Sequence, residues 1–242
     1  MHFAAYWQRT ADVSMIPLKD NIPATRLSVV NAALIVLNLG VFLYVFLGSG
    51  REASVFLHYS LIPARITGGA VAAHLTVIER MIPFVTHMFL HGGWLHVLGN
   101  MWSLWIFGDN VEDRLGHLRY LAFYLLCGVG AACMHVLLNL GSRIPTVGAS
   151  GAVAGVMGAY LVLYPRARVL TLIPFFVFFP IVEIPAFFFL GAWFFIQFVN
   201  AFFGFLGGAQ ALAGIAWWAH VGGFVAGIIL VSLLGGRARR SR

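Results

Sequence analysis

Charge is what this chain has least of: Asp, Glu, Lys and Arg make up 10% of its 242 residues. A soluble domain carries about a quarter. Acidic residues are the rarer sign, eight against fifteen Lys and Arg. With 61% apolar residues a disordered chain is excluded, and so is a soluble one, because a core of this size cannot hide so many. Cysteine is nearly absent, and two thiols, Cys127 and Cys133, cannot build a disulfide scaffold. On one helix they point about 120° apart, so they read as packing residues. There is no internal repeat, low-complexity tract or H-E-x-x-H metal motif.

What is there is apolar sequence in stretches that charge does not interrupt. They run from Leu27 to Gly50, Met81 to Gly108, Tyr120 to Ser142, Ile144 to Pro165 and Ile184 to Gly236. A bilayer core about 30 Å thick takes roughly 20 helical residues to cross. The last stretch holds two spans and the others one each. The expectation is an all-α integral membrane protein with six transmembrane helices, at about 28–48, 94–114, 118–140, 150–165, 185–203 and 217–235.

Eleven Lys and Arg then fall on one side: Arg9, Lys19, Arg26, Arg114, Arg119, Arg166, Arg168, Arg237, Arg239, Arg240 and Arg242. Arg51, Arg65, Arg80 and Arg143 fall on the other. The positive-inside rule places both termini in the cytoplasm. Residues 1–26 read as a short cytoplasmic segment, 27–236 as the membrane domain and 237–242 as a basic cytoplasmic tail. The first apolar stretch is long enough to stay as an anchor, so no cleavable signal peptide is expected. The net charge of +7 flanks helices, which argues for a lipid bilayer as partner and against nucleic acid. The expected location is the inner or plasma membrane, crossed several times.

The loop from Arg51 to Gly93 is apolar enough to lie in the interface. Val169 to Val182, interrupted by Pro174 and Pro180, is expected to skirt the inner interface. Trp94, Trp217 and Trp218 fall at outer span ends, where aromatic belts form.

Against this background the polar residues at membrane depth carry the information. Counted from Arg166 and Arg237 at 1.5 Å per residue, Ser150 and His220 lie about 24 and 26 Å above the inner face. Counted from Arg114, Asn100 and His96 lie about 21 and 27 Å above it. Four polar groups from three helices thus share one layer. A neutral imidazole turns a serine hydroxyl into a nucleophile, and Ser150 with His220 supplies that pair. His96 and Asn100, four apart on one face, offer N–H donors for an oxyanion. Ser150 opens its span, where first-turn backbone N–H groups and the helix dipole favour an anion. No carboxylate falls at this depth, so the pattern is a dyad.

Each residue has a plainer reading. A serine among glycines and alanines serves close packing, and a buried histidine serves as a hydrogen-bonding strut. The run Gly148-Ala149-Ser150-Gly151-Ala152 also departs from the hydrolase elbow G-x-S-x-G. His87, His91 and His96 raise a metal site or transporter as an alternative, but no acidic ligand lies near them. His87 and His91 read instead as interfacial hydrogen-bonding residues. No metal and no cofactor is expected. Gly151 with Gly155, and Gly223 with Gly227 on the His220 face, form small-xxx-small rows that let two spans pack closely.

Taken in order, these pieces resemble the rhomboid intramembrane serine proteases. They are His87, His91, His96-Val97-Leu98-Gly99-Asn100-Met101, Val111-Glu112-Asp113-Arg114-Leu115-Gly116, Gly148-Ala149-Ser150-Gly151 and Ala219-His220-Val221-Gly222-Gly223, ending with Gly227. The resemblance runs from about Pro83 to Gly235 and is to the basic six-span bacterial form. It implies Ser150 as nucleophile and His220 as general base. His96, Asn100 and the backbone N–H groups of Ser150 and Ala149 would stabilise the oxyanion. Glu112 and Arg114 would be structural. It further implies a lateral gate in span 5, a cap loop from Gly204 to Ala216, and transmembrane segments as substrates, cut near the outer surface. Two features depart from the pattern. Ala154 stands where some members carry an aromatic that stacks on the histidine, and Glu79-Arg80 stands where a Trp-Arg pair is common. A non-catalytic relative that binds membrane helices is a further alternative; such relatives commonly lose the serine or the histidine, and both are kept here.

Overall fold

The computed structural model describes residues 15–68, 72–174, 177–206 and 216–234. Six long helices stand within a few residues of the expected spans: α1 (Val29–Leu47), α6 (Trp94–Leu115), α7 (His117–Leu137), α8 (Ser150–Leu163), α9 (Ala186–Leu206) and α10 (Trp217–Leu234). Four of them, α1, α7, α9 and α10, are long and apolar enough to cross a membrane. Of the other two, α6 ends in the charged run Asp109 to Arg114, and α8 has 14 residues. Large apolar side chains stay exposed, among them Val36 and Phe46 on α1 and Phe188, Phe195 and Phe203 on α9. A bundle apolar on its outside as well as its inside belongs in lipid. The chain is a multi-pass membrane protein.

The apolar loop after α1 folds into short helices: α2 (Glu52–Tyr59), α3 (Pro63–Ile66), α4 (Val77–Met81) and α5 (Pro83–Thr86), followed by a 3-10 turn at His87–Phe89. Its backbone clamps the loop before α8 through a Leu61–Thr146 bridge and the Ala64 N–H on the Ser142 carbonyl, 2.9 Å.

The all-α expectation needs correction. An antiparallel sheet runs in the order β1 (Ile16–Asp20), β2 (Arg168–Leu172), β3 (Ile181–Pro185). Ile16 pairs with Leu172, and Arg168 with Pro185. Val169 and Thr171, both β-branched, are fully buried from alternate positions of β2. The segment expected to skirt the interface is therefore a hairpin, with Pro174 and Pro180 outside its strands. The sheet follows the C-terminus of α8, so it lies at the opposite end of that helix from Ser150. Asp20 ties it to the bundle by accepting from the Tyr160 hydroxyl and, at 2.8 Å, from the Asn110 amide. Residues 1–14, most of the expected cap loop and the basic tail lie outside the described residues; Gly204 to Leu206 belong to α9.

Glu112 is buried, 1% exposed, and its carboxylate explains its place. It accepts the N–H groups of Val30 and Asn31, at 3.0 and 2.6 Å, in the first turn of α1, where helix donors have no partner of their own. His117 Nδ1 lies 2.5 Å from the same carboxylate. Between Glu112 and His117 the chain reverses at Gly116, whose φ of +80° is one that other residues rarely adopt. Arg114 is half-buried, and its side chain makes no hydrogen bond or ion pair among the described residues. Its neighbour Asp113 instead accepts from the Thr25 N–H at 3.0 Å and faces Arg26 at 3.9 Å.

Helices α8 and α10 meet backbone to backbone. A Cβ at Gly223 would collide with the Gly151 carbonyl, one at Gly227 with the Gly155 carbonyl, and one at Gly158 with the Phe224 carbonyl. One at Gly151 would strike Ala131 of α7. Cys127 packs against Gly155 in this core, whereas Cys133 is exposed; both thiols are free.

Candidate active site

Ser150 is the first residue of α8 and Ala149 its N-cap. The chain enters through Gly148 at φ +126°, where a Cβ would come within 2.5 Å of His96 Nε2. Glycine thus admits both the turn and the imidazole. The approach is held by the Gly148 N–H on the His87 carbonyl, 2.9 Å, and by Thr146 Oγ1 beside His135 Nε2, 2.9 Å. The Ser150 N–H, at the start of the helix, donates no hydrogen bond among the described residues.

The close contact of α8 and α10 brings His220 onto the serine: Nε2 lies 2.9 Å from Ser150 Oγ. Its other nitrogen, Nδ1, lies 2.7 Å from Gln197 Oε1 on α9. An amide oxygen only accepts, so Nδ1 carries the proton and Nε2 presents its lone pair to the hydroxyl. The rings of Trp193 and Trp217 flank the imidazole at 6.1 and 6.0 Å. With Ala154 in place of an aromatic, these three side chains hold the ring.

His96 and Asn100 project one turn apart from α6. His96 lies against Gly148 and meets the His91 ring edge-on at 5.2 Å. Asn100 is 7% exposed, and its amide nitrogen finds no hydrogen-bond partner among the described residues. Ala149 is fully buried, with its N–H pointing toward His91 Nε2 at a long 3.5 Å.

The structure adds detail to His87 and His91 and brings in one residue not named from the sequence. His87 and His91, read as interfacial hydrogen-bonding residues, are buried in the protein at 3 and 4% exposure. His87 Nδ1 donates to the Pro83 carbonyl at 2.8 Å, while His91 turns toward the Ala149 N–H. Gln197 was not singled out, although an amide among the phenylalanines of α9 is the same signal that marked Asn100.

Residues 79–237 match the Rhomboid domain family. The chain belongs to the rhomboid family. Rhomboids are a family of intramembrane proteases, and curated relatives share parts of this sequence. RHOMBOID-like protein 4 of Arabidopsis thaliana is 33% identical over 149 residues, 59% of this chain and 31% of that protein. RHOMBOID-like protein 5 of the same plant is 34% identical over 93 residues, 38% of this chain and 30% of the relative. Rhomboid-like protease 5 of Toxoplasma gondii is 39% identical over 83 residues, 33% of this chain and 9% of the relative. The aligned parts cover less than a third of each of these rhomboid relatives.

Proposed function

We propose that this rhomboid is an active intramembrane serine endopeptidase working through a Ser150–His220 dyad. The observation that carries the reading is the 2.9 Å approach of His220 Nε2 to Ser150 Oγ, with the other ring nitrogen already committed to a donor role. The serine proton passes to Nε2 as Oγ attacks the scissile carbonyl carbon, and the carbonyl electrons move onto oxygen. The N–H of Ser150 and the side chains of His96 and Asn100 receive that oxyanion, with the Ala149 N–H beside them. His220 then hands its proton to the leaving amine. A water molecule, deprotonated by the same nitrogen, releases the acyl group and restores the serine.

The six long helices are read as six spans with both termini in the cytoplasm. At 1.5 Å per residue, α8 is about 21 Å long, short of a core about 30 Å thick. A helix that ends near the inner face therefore starts below the outer one. Ser150 sits in that shortfall, in a site open to the extracytoplasmic side of the inner or plasma membrane. The substrates are transmembrane segments cut near the outer surface.

The test is cleavage of a model transmembrane substrate by purified protein, together with labelling by a fluorophosphonate probe. Wild type should cleave and label, and Ser150→Ala should do neither. Equal cleavage by the mutant sinks the mechanism. A wild type that neither cleaves nor labels points to a non-catalytic relative.

A further inference from the structure

We propose that Gln197 is the positioning residue of the catalytic histidine, filling from α9 the place that a carboxylate holds in a three-member triad. The inference rests on the protease reading above. Gln197 is 7% exposed and, with Asn200, one of two amides on α9, whose other residues are Phe, Leu, Ile, Val, Ala, Trp and Gly. An amide buried in such surroundings is costly unless it is matched, and its oxygen is matched by His220 Nδ1 at 2.7 Å. Among the described residues no Asp or Glu hydrogen-bonds His220.

Two consequences follow from the chemistry of an amide. Accepting from Nδ1 excludes the tautomer whose Nε2 carries hydrogen, and that tautomer could not take the serine proton. The bond also stops the ring turning about its Cβ–Cγ axis, which would swing Nε2 away from Ser150. Trp193, one turn before Gln197 on the same face, closes the ring's flank. Being uncharged, the amide orients the imidazole without strongly raising its basicity, which a carboxylate would do. The other titratable groups near His220 are His96 from α6 and His135 from α7. The site is thus assembled from Ser150 on α8, His220 on α10 and Gln197 on α9.

Gln197→Met keeps the length of the side chain and removes the acceptor; Gln197→Glu keeps an acceptor and adds charge. With thermal unfolding used to check that each variant is folded, Gln197→Met should lower kcat about 10–100-fold, as loss of the partner orienting a working imidazole does, with KM little changed. Its fluorophosphonate labelling should slow in parallel, independently of substrate docking. Gln197→Glu should recover most of the rate and move the acid limb of kcat/KM to higher pH, because a carboxylate favours the imidazolium. Wild-type kcat in Gln197→Met, or a Gln197→Glu as slow as Gln197→Met with no displaced pH profile, overturns the positioning role while the dyad stands. A wild type that neither cleaves nor labels overturns both.

Discussion

Replacing Gly223 by alanine puts a methyl carbon inside the contact radius of the Gly151 carbonyl oxygen, an atom of helix backbone that cannot swing aside. Nonbonded heavy atoms rest about 3.5 Å apart, so α10 must withdraw from α8 by roughly 1 Å or more. His220 lies one turn from Gly223 on α10, and Ser150 adjoins Gly151 on α8, so the withdrawal acts at the dyad itself. A 2.9 Å Ser150–His220 separation becomes about 4 Å, beyond the reach of a hydrogen bond. Overpacking of this kind costs about 1–3 kcal/mol in stability, and misplacement by about 1 Å lowers a rate by about 10²-fold. The assay pairs cleavage kinetics on a model transmembrane substrate with thermal unfolding in the same detergent. Gly40→Ala on α1 is the control, since a Cβ there meets nothing within 4 Å. A Gly223→Ala protein with the kcat and unfolding temperature of wild type would refute the reasoning that backbone contact sets the dyad distance.

Glu112→Ala strips two first-turn donors of α1 of their acceptor and should cost on the order of 3 kcal/mol, read as a lower unfolding temperature. Gly148→Ala forces an alanine to φ +126° and a methyl against His96, so it should slow cleavage at least tenfold while Gly141→Ala, with open space around it, does not. Burial pushes the Asp20 carboxyl above the ordinary aspartate value, more than the hydrogen bond from Tyr160 pulls it down. The folded state therefore holds that proton more tightly than the unfolded one. Stability relative to Asp20→Asn should fall as pH rises from about 3.9 through the raised folded value. Unfolding temperatures of the two proteins across that window check the sign; parallel curves contradict it.

The helices were legible because charge marks their ends, and α6 was bounded to within a residue. Ser150 and His220 were legible for the same reason: each span closes on an arginine, so depth could be counted. Gln197 escaped because no basic residue follows α9 before Arg237. Counted from Ala186, where α9 begins, it lies about 17 Å along the helix axis. The contact of His91 with Ala149 was not legible because its spacing from His87 suggested one helix face, whereas a 3-10 turn and Gly92-Gly93 break the helix there and swing it toward Ala149. The sheet escaped because pairing of β1 with β2 joins residues some hundred and fifty positions apart, and neither strand is amphipathic enough to announce itself alone.

That pairing has a consequence for the order in which the protein is made. Ile16–Asp20 leaves the ribosome early and waits, its ladder open, until Arg168–Leu172 has been synthesised behind α8. That ladder joins the segment before α1 to the segment after α8, at the end of α8 far from Ser150. In chain order α9 and α10 come after both strands of that pair, carrying Gln197 and then His220. Ser150 is thus made some seventy residues before the histidine proposed to activate it, and the pair is complete only with α10.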